Sequence, residues 1–374
     1  MVTTSRARQP WPGSSSVGVL ALLRKEAITL RRNLGLFFVL LVLVPAALAV
    51  GTSVYKQTIP QDIPVAVAPA DDATTESDMR LVRGAVSFFA TPVEYDSRAA
   101  AVEAMEREEV YMAFVVPPDL TDEDAEVTVT VVTDAANAPL SDPAELTFGL
   151  LESRFDSVFP ATVTLEEESV GTQRTLSEFM LPAALFALVV LYALVYLPYQ
   201  VREERRVMDR LRTETRLELV VANKLLFYGV LVVVPAATVS AAARYYGYGF
   251  DALGVETLAV LGLSFLYMAA AGLAVLFFMR LRQAAVFVNL GLAVGVLTLS
   301  GLIYPVGFYS AVRKQISRAL PTHYSLVTLR GTLLRGHSLS FHEEHLTWLA
   351  ATTVAALLLL AVAIRHYERG GVHG

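Results

Sequence analysis

Uncharged apolar runs of roughly 20 residues, the length that crosses ~30 Å of hydrocarbon, recur along this chain and set its organisation. Leu34–Val54 lies between Arg32 and Lys56, Phe179–Val201 between Glu178 and Arg202, and Leu225–Ala243 between Lys224 and Arg244. Thr257–Met279 follows Glu256 and stops at Arg280, and Leu346–Ile364 is closed by Arg365. Gln283–Val312 is uncharged but too long for one simple crossing, so Pro305 is taken as its exit and the span as 283–305. Six spans put both termini on one side of the bilayer.

Between the first and second spans the pattern changes. Ile63–Ala68 predicts a short strand, Asp78–Phe88 and Ser97–Glu108 predict helices, and Val110–Val116 predicts a buried strand ended by Pro117-Pro118. Glu126–Thr133 alternates Val with polar residues, the period of a half-buried strand, and a last helix over Asp142–Phe155 leads towards the second span. The fold class predicted is a polytopic α-helical membrane protein with six transmembrane helices and an extracytoplasmic α+β domain, 55–178, inserted between the first two. The remaining divisions are a cytosolic tail with an interfacial helix (1–33), spans 34–54, 179–201, 225–243, 257–279, 283–305 and 346–364, a cytosolic segment 202–224, outer interfacial or re-entrant helices 306–345, and a cytosolic tail 365–374.

Amphipathic stretches occupy the connections. Val19–Arg32 carries Val19, Leu20, Leu22, Leu23, Ala27 and Leu30 on one side and Arg24, Lys25, Arg31 and Arg32 on the other, as in a helix lying in the membrane interface; Glu26 is the exception inside the apolar arc. Phe308, Val312, Ile316 and Leu320 recur at spacing four, opposite Arg313, Lys314 and Arg318; Pro321 breaks this helix and Tyr324–Leu334 begins another. From Arg202 to Lys224 the chain is too charged for lipid. Val207, Met208 and Leu211 give it a small apolar face, and Thr215 with Glu218 forms a capping-box pattern that starts the next helix. This segment suits either docking of another protein or contact with lipid headgroups.

Charge adds orientation. Residues 55–178 hold 25 acidic side chains against 7 basic ones, a net of −18, while the rest of the chain holds 11 against 23, a net of +12. With the N-terminus inside, the short inner segments collect 17 Lys and Arg against six in the short outer loops, the bias that sets topology. Five of the six contrary bases fall in 306–344, where interfacial helices are expected to hold them. The first span is read as uncleaved, because its leader is longer than a signal peptide's and its apolar run is span-length. The runs Asp122-Glu123-Asp124 and Glu166-Glu167-Glu168 are expected to be solvated acidic surface rather than a cation site.

Composition removes much chemistry. The chain has no Cys, so disulfides, iron–sulfur clusters and thiol nucleophiles are excluded. It has no GxxxxGK[ST] phosphate loop and no GxSxG elbow. His342 and His345 stand three apart rather than at the metalloprotease spacing of four; with His323 and His337 they are expected to be juxtamembrane surface residues. The six spans contain no internal ionisable residue, which argues against a proton-coupled carrier.

Across nearly its whole length the layout resembles the ABC-2 type exporter permeases, the family of sodium- and drug-export membrane subunits. Leu23-Arg24-Lys25-Glu26, Ile63-Pro64-Val65-Ala66-Val67, Ala113-Phe114-Val115-Val116-Pro117 and Val132-Thr133-Asp134-Ala135-Ala136-Asn137 are similar to its motifs. So are Glu203-Glu204-Arg205-Arg206 with Asn223-Lys224, and most specifically Ser300-Gly301-Leu302-Ile303-Tyr304-Pro305 followed by Leu320-Pro321-Thr322-His323-Tyr324. The family usually has Gly-Thr at Val207-Met208, Pro at Glu214 and Gly at Asn223. The resemblance implies a plasma-membrane export permease with cytosolic termini that pairs with itself or a homologue and binds no nucleic acid. It implies no enzyme activity and no cofactor of its own, ATP being hydrolysed on a separate ABC ATPase subunit. Glu203, Glu204, Arg205, Arg206, Asp209, Arg210, Lys25 and Glu26 are the implied ATPase-coupling residues, and Gly301, Tyr304, Pro305 and Pro321 the implied structural motif. The alternative is a non-transporting membrane sensor or cell-envelope assembly factor that recruits partners through its acidic domain.

Overall fold

The structure is a computed structural model that describes residues 19–32, 63–122, 125–137, 159–214, 216–302, 305–309 and 311–369. The expected first span 34–54, the helix over Asp142–Phe155 and both chain ends lie outside these residues, as does Tyr304.

A five-stranded sheet in the order β2-β1-β3-β4-β5 forms the core of the soluble unit. Its strands are β1 (Ile63–Pro69), β2 (Ala90–Glu94), β3 (Met112–Val116), β4 (Glu126–Asp134) and β5 (Thr162–Val170). β1 runs parallel to β2 and β3, β4 is antiparallel to β3, and β5 is parallel to β4. The helices α2 (Glu76–Val86) and α3 (Arg98–Glu106) link β1 to β2 and β2 to β3 and cover opposite faces. One core joins Val65 and Val67 to Val82 and Val86 of α2; the other joins Ala66 and Ala68 to Ala101, Ala104 and Met105. That is why β1 reads as a continuous apolar run: with both faces covered, neither parity of position meets water. α2 starts on a capping box in which the Thr75 hydroxyl accepts from Asp78 N–H and Asp78 accepts from Thr75 N–H; Asp78 also accepts from Leu120 N–H at 3.0 Å.

The membrane region is built from α4 (Leu176–Glu203), the pair α6 (Leu217–Val230) and α7 (Val233–Tyr246), α8 (Val255–Phe278), α9 (Gln283–Leu299) and α12 (Glu343–Arg369). Among the described residues four helical stretches are long and apolar enough to cross a membrane: Leu176–Glu203, Leu217–Tyr246, Val255–Phe278 and Leu339–Arg369; Gln283–Leu299 is apolar but shorter. α4 and α8 are buried over most of their apolar length and form the centre. Pro198 interrupts α4. Its ring cannot sit over the carbonyl four residues back, and the turn Tyr192–Tyr196 widens to π geometry just before it. Gly272 of α8 lets the backbone come against Pro198 and Leu194, and its carbonyl accepts from Asn289 Nδ2 at 2.9 Å, tying α9 to the same crossing.

α9 ends at Leu299, six residues before Pro305, with Ser300 as cap and Gly301 left-handed at φ +76°. Glycine takes that conformation without steric cost. Thr215 of the capping box expected with Glu218 lies outside the described residues; α6 starts at Leu217 with Arg216 as its cap residue and no side-chain cap.

Candidate functional site

Two polar clusters tie the helices together at opposite ends of the bundle. At the end away from the sheet, α1 (Val19–Arg32) lies beside the C-terminal end of α4 and the start of α6. The exceptional Glu26 is 2% exposed, and Lys224, in the middle of α6, is fully buried with Nζ 2.8 Å from the Glu26 carboxylate. Lys224 also reaches Glu204 at 3.1 Å, and Lys25 closes the cluster onto Glu204 at 2.7 Å. Burial pushes the Glu204 carboxyl up, but Lys224 and Lys25 outweigh it and hold the group below the usual carboxylate range. Four charges thus neutralise one another where three segments meet. Such a cluster is intolerant of single deletions, because removing one partner strands a buried charge at a cost of about 3–5 kcal/mol.

α5 (Arg205–Glu214) follows directly, its Met208 fully buried and its Val207 exposed. A cleft of about 700 Å³ runs between two matched helical stripes, Ala21, Arg24, Lys25, Ile28 and Thr29 of α1 and Tyr199, Gln200, Glu203, Glu204 and Val207 of α4 and α5. Of the expected coupling residues, the structure brings Lys25, Glu26 and Glu204 into one internal cluster. Glu203 is exposed and pairs with Arg202 at 2.7 Å, and Arg205, Arg206 and Arg210 are exposed on α5. The Asp209 side chain lies outside the described residues.

At the opposite end, the sheet unit is clamped to the connection that precedes α12. This connection holds α10 (Ala311–Ala319) and α11 (Pro321–Arg330), the latter prolonged by a π turn over Gly331–Arg335. Arg330 is 1% exposed and pairs with Glu108 at 2.9 Å; its other nitrogen donates to the carbonyls of Gly301 at 2.8 Å and Leu302 at 3.1 Å. Its guanidinium lies 4.3 Å from the ring centroid of Phe179 on α4. Arg335 reaches Asp134 at 2.6 Å, and although burial lowers its pKa, Asp134 and Glu108 together raise it. Tyr111 accepts from Gly307 N–H at 3.1 Å, and Arg174 donates to the carbonyls of Leu334 and Gly249.

Two expectations are corrected here. The contrary bases Arg330 and Arg335 are not interfacial; they are buried counter-charges to the acidic unit. His323 and His342 are not surface residues but 8% and 1% exposed, because α11 and the start of α12 pack under that unit. Burial, reinforced by His345, Arg318 and Arg330, lowers the His323 pKa to about 3. Among the described residues no cluster of His, Asp and Glu is arranged to hold a metal. Gly301, Pro305 and Pro321 mark the end of α9 and the start of α11, both held around Arg330. Arg330 itself was missed as a site residue; its signal was a base on the wrong side of the charge bias.

Residues 35–362 match the family model described as ABC-2 family transporter protein, most of the chain and all six expected spans but for the first and last few residues at their margins. The chain belongs to the ABC-2 transporter family. None of the curated proteins compared with it matches. This ABC-2 chain is therefore a multi-pass membrane permease of the kind that serves ABC exporters, and the family implies an ABC ATPase partner in general. The charge-locked junction and the sheet clamp are the features through which this ABC-2 protein joins its soluble parts to its spans.

Proposed function

We propose that this protein is a six-span export permease that moves substrate out of the cytosol as half of a homo- or heterodimer, driven by ATP hydrolysed on a separate ABC ATPase subunit. It is not itself an enzyme and uses no cofactor. In this reading the spans are 34–54, 179–201, 225–243, 257–279, 283–305 and 346–364, both termini are cytosolic in the plasma membrane, and the acidic unit 55–178 is extracytoplasmic.

The observation that carries the coupling is the Lys224–Glu26–Glu204–Lys25 junction. A push from an ATPase on α1 or α5 is shared between them, because Glu26 of α1 and Glu204, just before α5, are pinned to the same buried lysine midway along α6. Glu203, Arg205 and Arg206 present charge outward beside it and are assigned to the ATPase surface, while Glu204, Lys25 and Glu26 carry displacement inward. Since like charges placed opposite one another at an interface cost affinity and orientation, the double reversal Arg205→Glu/Arg206→Glu is expected to abolish co-purification of the ATPase and ATP-coupled export. Survival of both would sink the assignment.

A further inference from the structure

The clamp borders an open-mouthed cavity of about 1210 Å³ between the sheet unit, α10 and the start of α12. Its lining carries charge of both signs. Lys314 and Arg318 supply cations and Glu109, Glu343 and Glu344 carboxylates, while Arg107 is already paired with Glu103 at 2.6 Å and Glu108 with Arg330. The signs are separated only in part, since Arg318 donates to the carbonyl of Glu109 at 3.4 Å. Lys314 and Arg318 are four apart on α10 and share its cavity-facing side, whereas Glu343 and Glu344 begin α12 on another wall. Arg107 is held near the carboxylate wall, donating to the Phe341 carbonyl at 3.3 Å and lying over its ring.

The apolar part of the lining leads out of the cavity in one direction. Thr347, Trp348 and Ala351 form its edge on α12. Below them Val354, Leu358 and Val362 continue the same exposed stripe down the span, Trp348 at 49%, Val354 at 57% and Leu358 at 63% exposed. An aromatic residue at the head of such a stripe is the usual occupant of the membrane–water boundary. A ligand matched to this shape has adjoining positive and negative groups, no net charge, and a hydrocarbon tail that leaves sideways along α12.

We propose that the cavity binds the headgroup of an aminophospholipid of the phosphatidylethanolamine class, its phosphate against Lys314 and Arg318, its ammonium against Glu343 and Glu344, and an acyl chain passing Trp348 and Ala351 onto the lipid-facing stripe of α12. The site needs the membrane placement of α12 but not transport. An anionic phosphatidylglycerol leaves Glu343 and Glu344 without a cationic partner, and the primary ammonium offers three hydrogen-bond donors that a choline headgroup lacks.

The test uses the full-length permease in nanodiscs, without any ATPase, and photoactivatable phosphatidylethanolamine, phosphatidylcholine and phosphatidylglycerol as probes. Phosphatidylethanolamine is expected to label peptides around 314–324 and 341–351 and to exceed the other two about tenfold, the factor expected from one charge-assisted contact. Lys314→Glu/Arg318→Glu and Ala351→Trp should each reduce labelling about tenfold, the first by repelling phosphate, the second by filling the mouth. Glu343→Gln/Glu344→Gln should instead erase the preference over phosphatidylcholine. The last two alter exposed positions, so they decide the matter even if the reversal variant fails to fold. Equal labelling by the three lipids, labelling elsewhere, or an unaffected Ala351→Trp variant would overturn the site. Stimulation of the reconstituted ATPase complex by the same lipids is a separate readout. Specific labelling without stimulation would leave the site standing and weaken export of this lipid alone.

Discussion

Replacing Arg330 by Met removes the centre of the clamp while nearly preserving its bulk. The Arg330–Glu108 pair is 2.9 Å long with both side chains 1% exposed, and breaking a buried pair costs about 3–5 kcal/mol. Arg335 stands 3.7 Å from the other Glu108 oxygen and partly compensates, which puts this part at the low end, about 3 kcal/mol. The carbonyls of Gly301 and Leu302 lose their donor as well, adding about 1 kcal/mol each. A total near 5 kcal/mol rivals the net stability of a whole domain. The double variant Arg330→Met/Glu108→Leu leaves no stranded carboxylate and loses only the carbonyl contacts. It should therefore be more stable than Arg330→Met alone by about 3 kcal/mol, whereas independent sites would make it less stable. Equilibrium unfolding of the detergent-solubilised proteins in SDS, followed by far-UV circular dichroism, measures all three. A loss under about 1 kcal/mol for Arg330→Met, or additive losses in the double variant, would refute the clamp as an energetic unit.

Two further outcomes follow from the same end of the bundle. His323 is neutral in the fold, with its pKa lowered to about 3, while the unfolded chain protonates it near 6.5. Its contribution to stability is thus complete above about pH 6.5 and is lost as the pH falls towards 3, about 2 kcal/mol by pH 5. His323→Asn should flatten that slope in melting curves between pH 7 and 5, and an unchanged slope would contradict the burial. An added Cβ at Gly331 would fall well inside van der Waals contact with His342 Nε2. Gly331→Ala should therefore cost about 1–3 kcal/mol, and His342→Ala should restore much of it. Equal melting temperatures for Gly331→Ala and the wild type would show that the ring moves aside freely.

Four of the spans were legible among the described residues because lipid imposes one demand on them, an uncharged run of sufficient length. β1, β3 and β4 were legible for the related reason that they are buried in the sheet. β5 was hidden: Glu166-Glu167-Glu168 interrupts its alternation, yet as an edge strand it still buries Val163 and pairs along its length with β4. β2 carries Pro92, which an edge strand tolerates because no ladder partner is lost on its open side. Capping went unread: the Thr175–Glu178 box that starts α4 has the same Thr-x-x-Glu pattern yet was not singled out, and Thr215 of the expected box lies outside the described residues. Glu26 and Arg330 announced themselves as misfits, an acid in an apolar arc and a base on the acidic side. Their partners lie 198 and 222 residues away in the chain, a pairing no short-range rule can supply.

The clamp also bears on how the protein is made. Glu108 precedes Arg330 by 222 residues and Asp134 precedes Arg335 by 201, so at ordinary synthesis rates the acids wait about 10–40 s for their partners to leave the ribosome. Until then that surface is a hydrated anionic face with nothing docked on it. When the segment after α9 emerges, its arginines would by themselves hold it on the inner side, where basic loops collect. In the proposed orientation a folded acidic acceptor is already waiting across the bilayer, and capture by it draws the loop out and commits α12 to its direction of insertion. The order of acids first and bases last is then a timetable for assembly, written into the chain as a difference in sequence position.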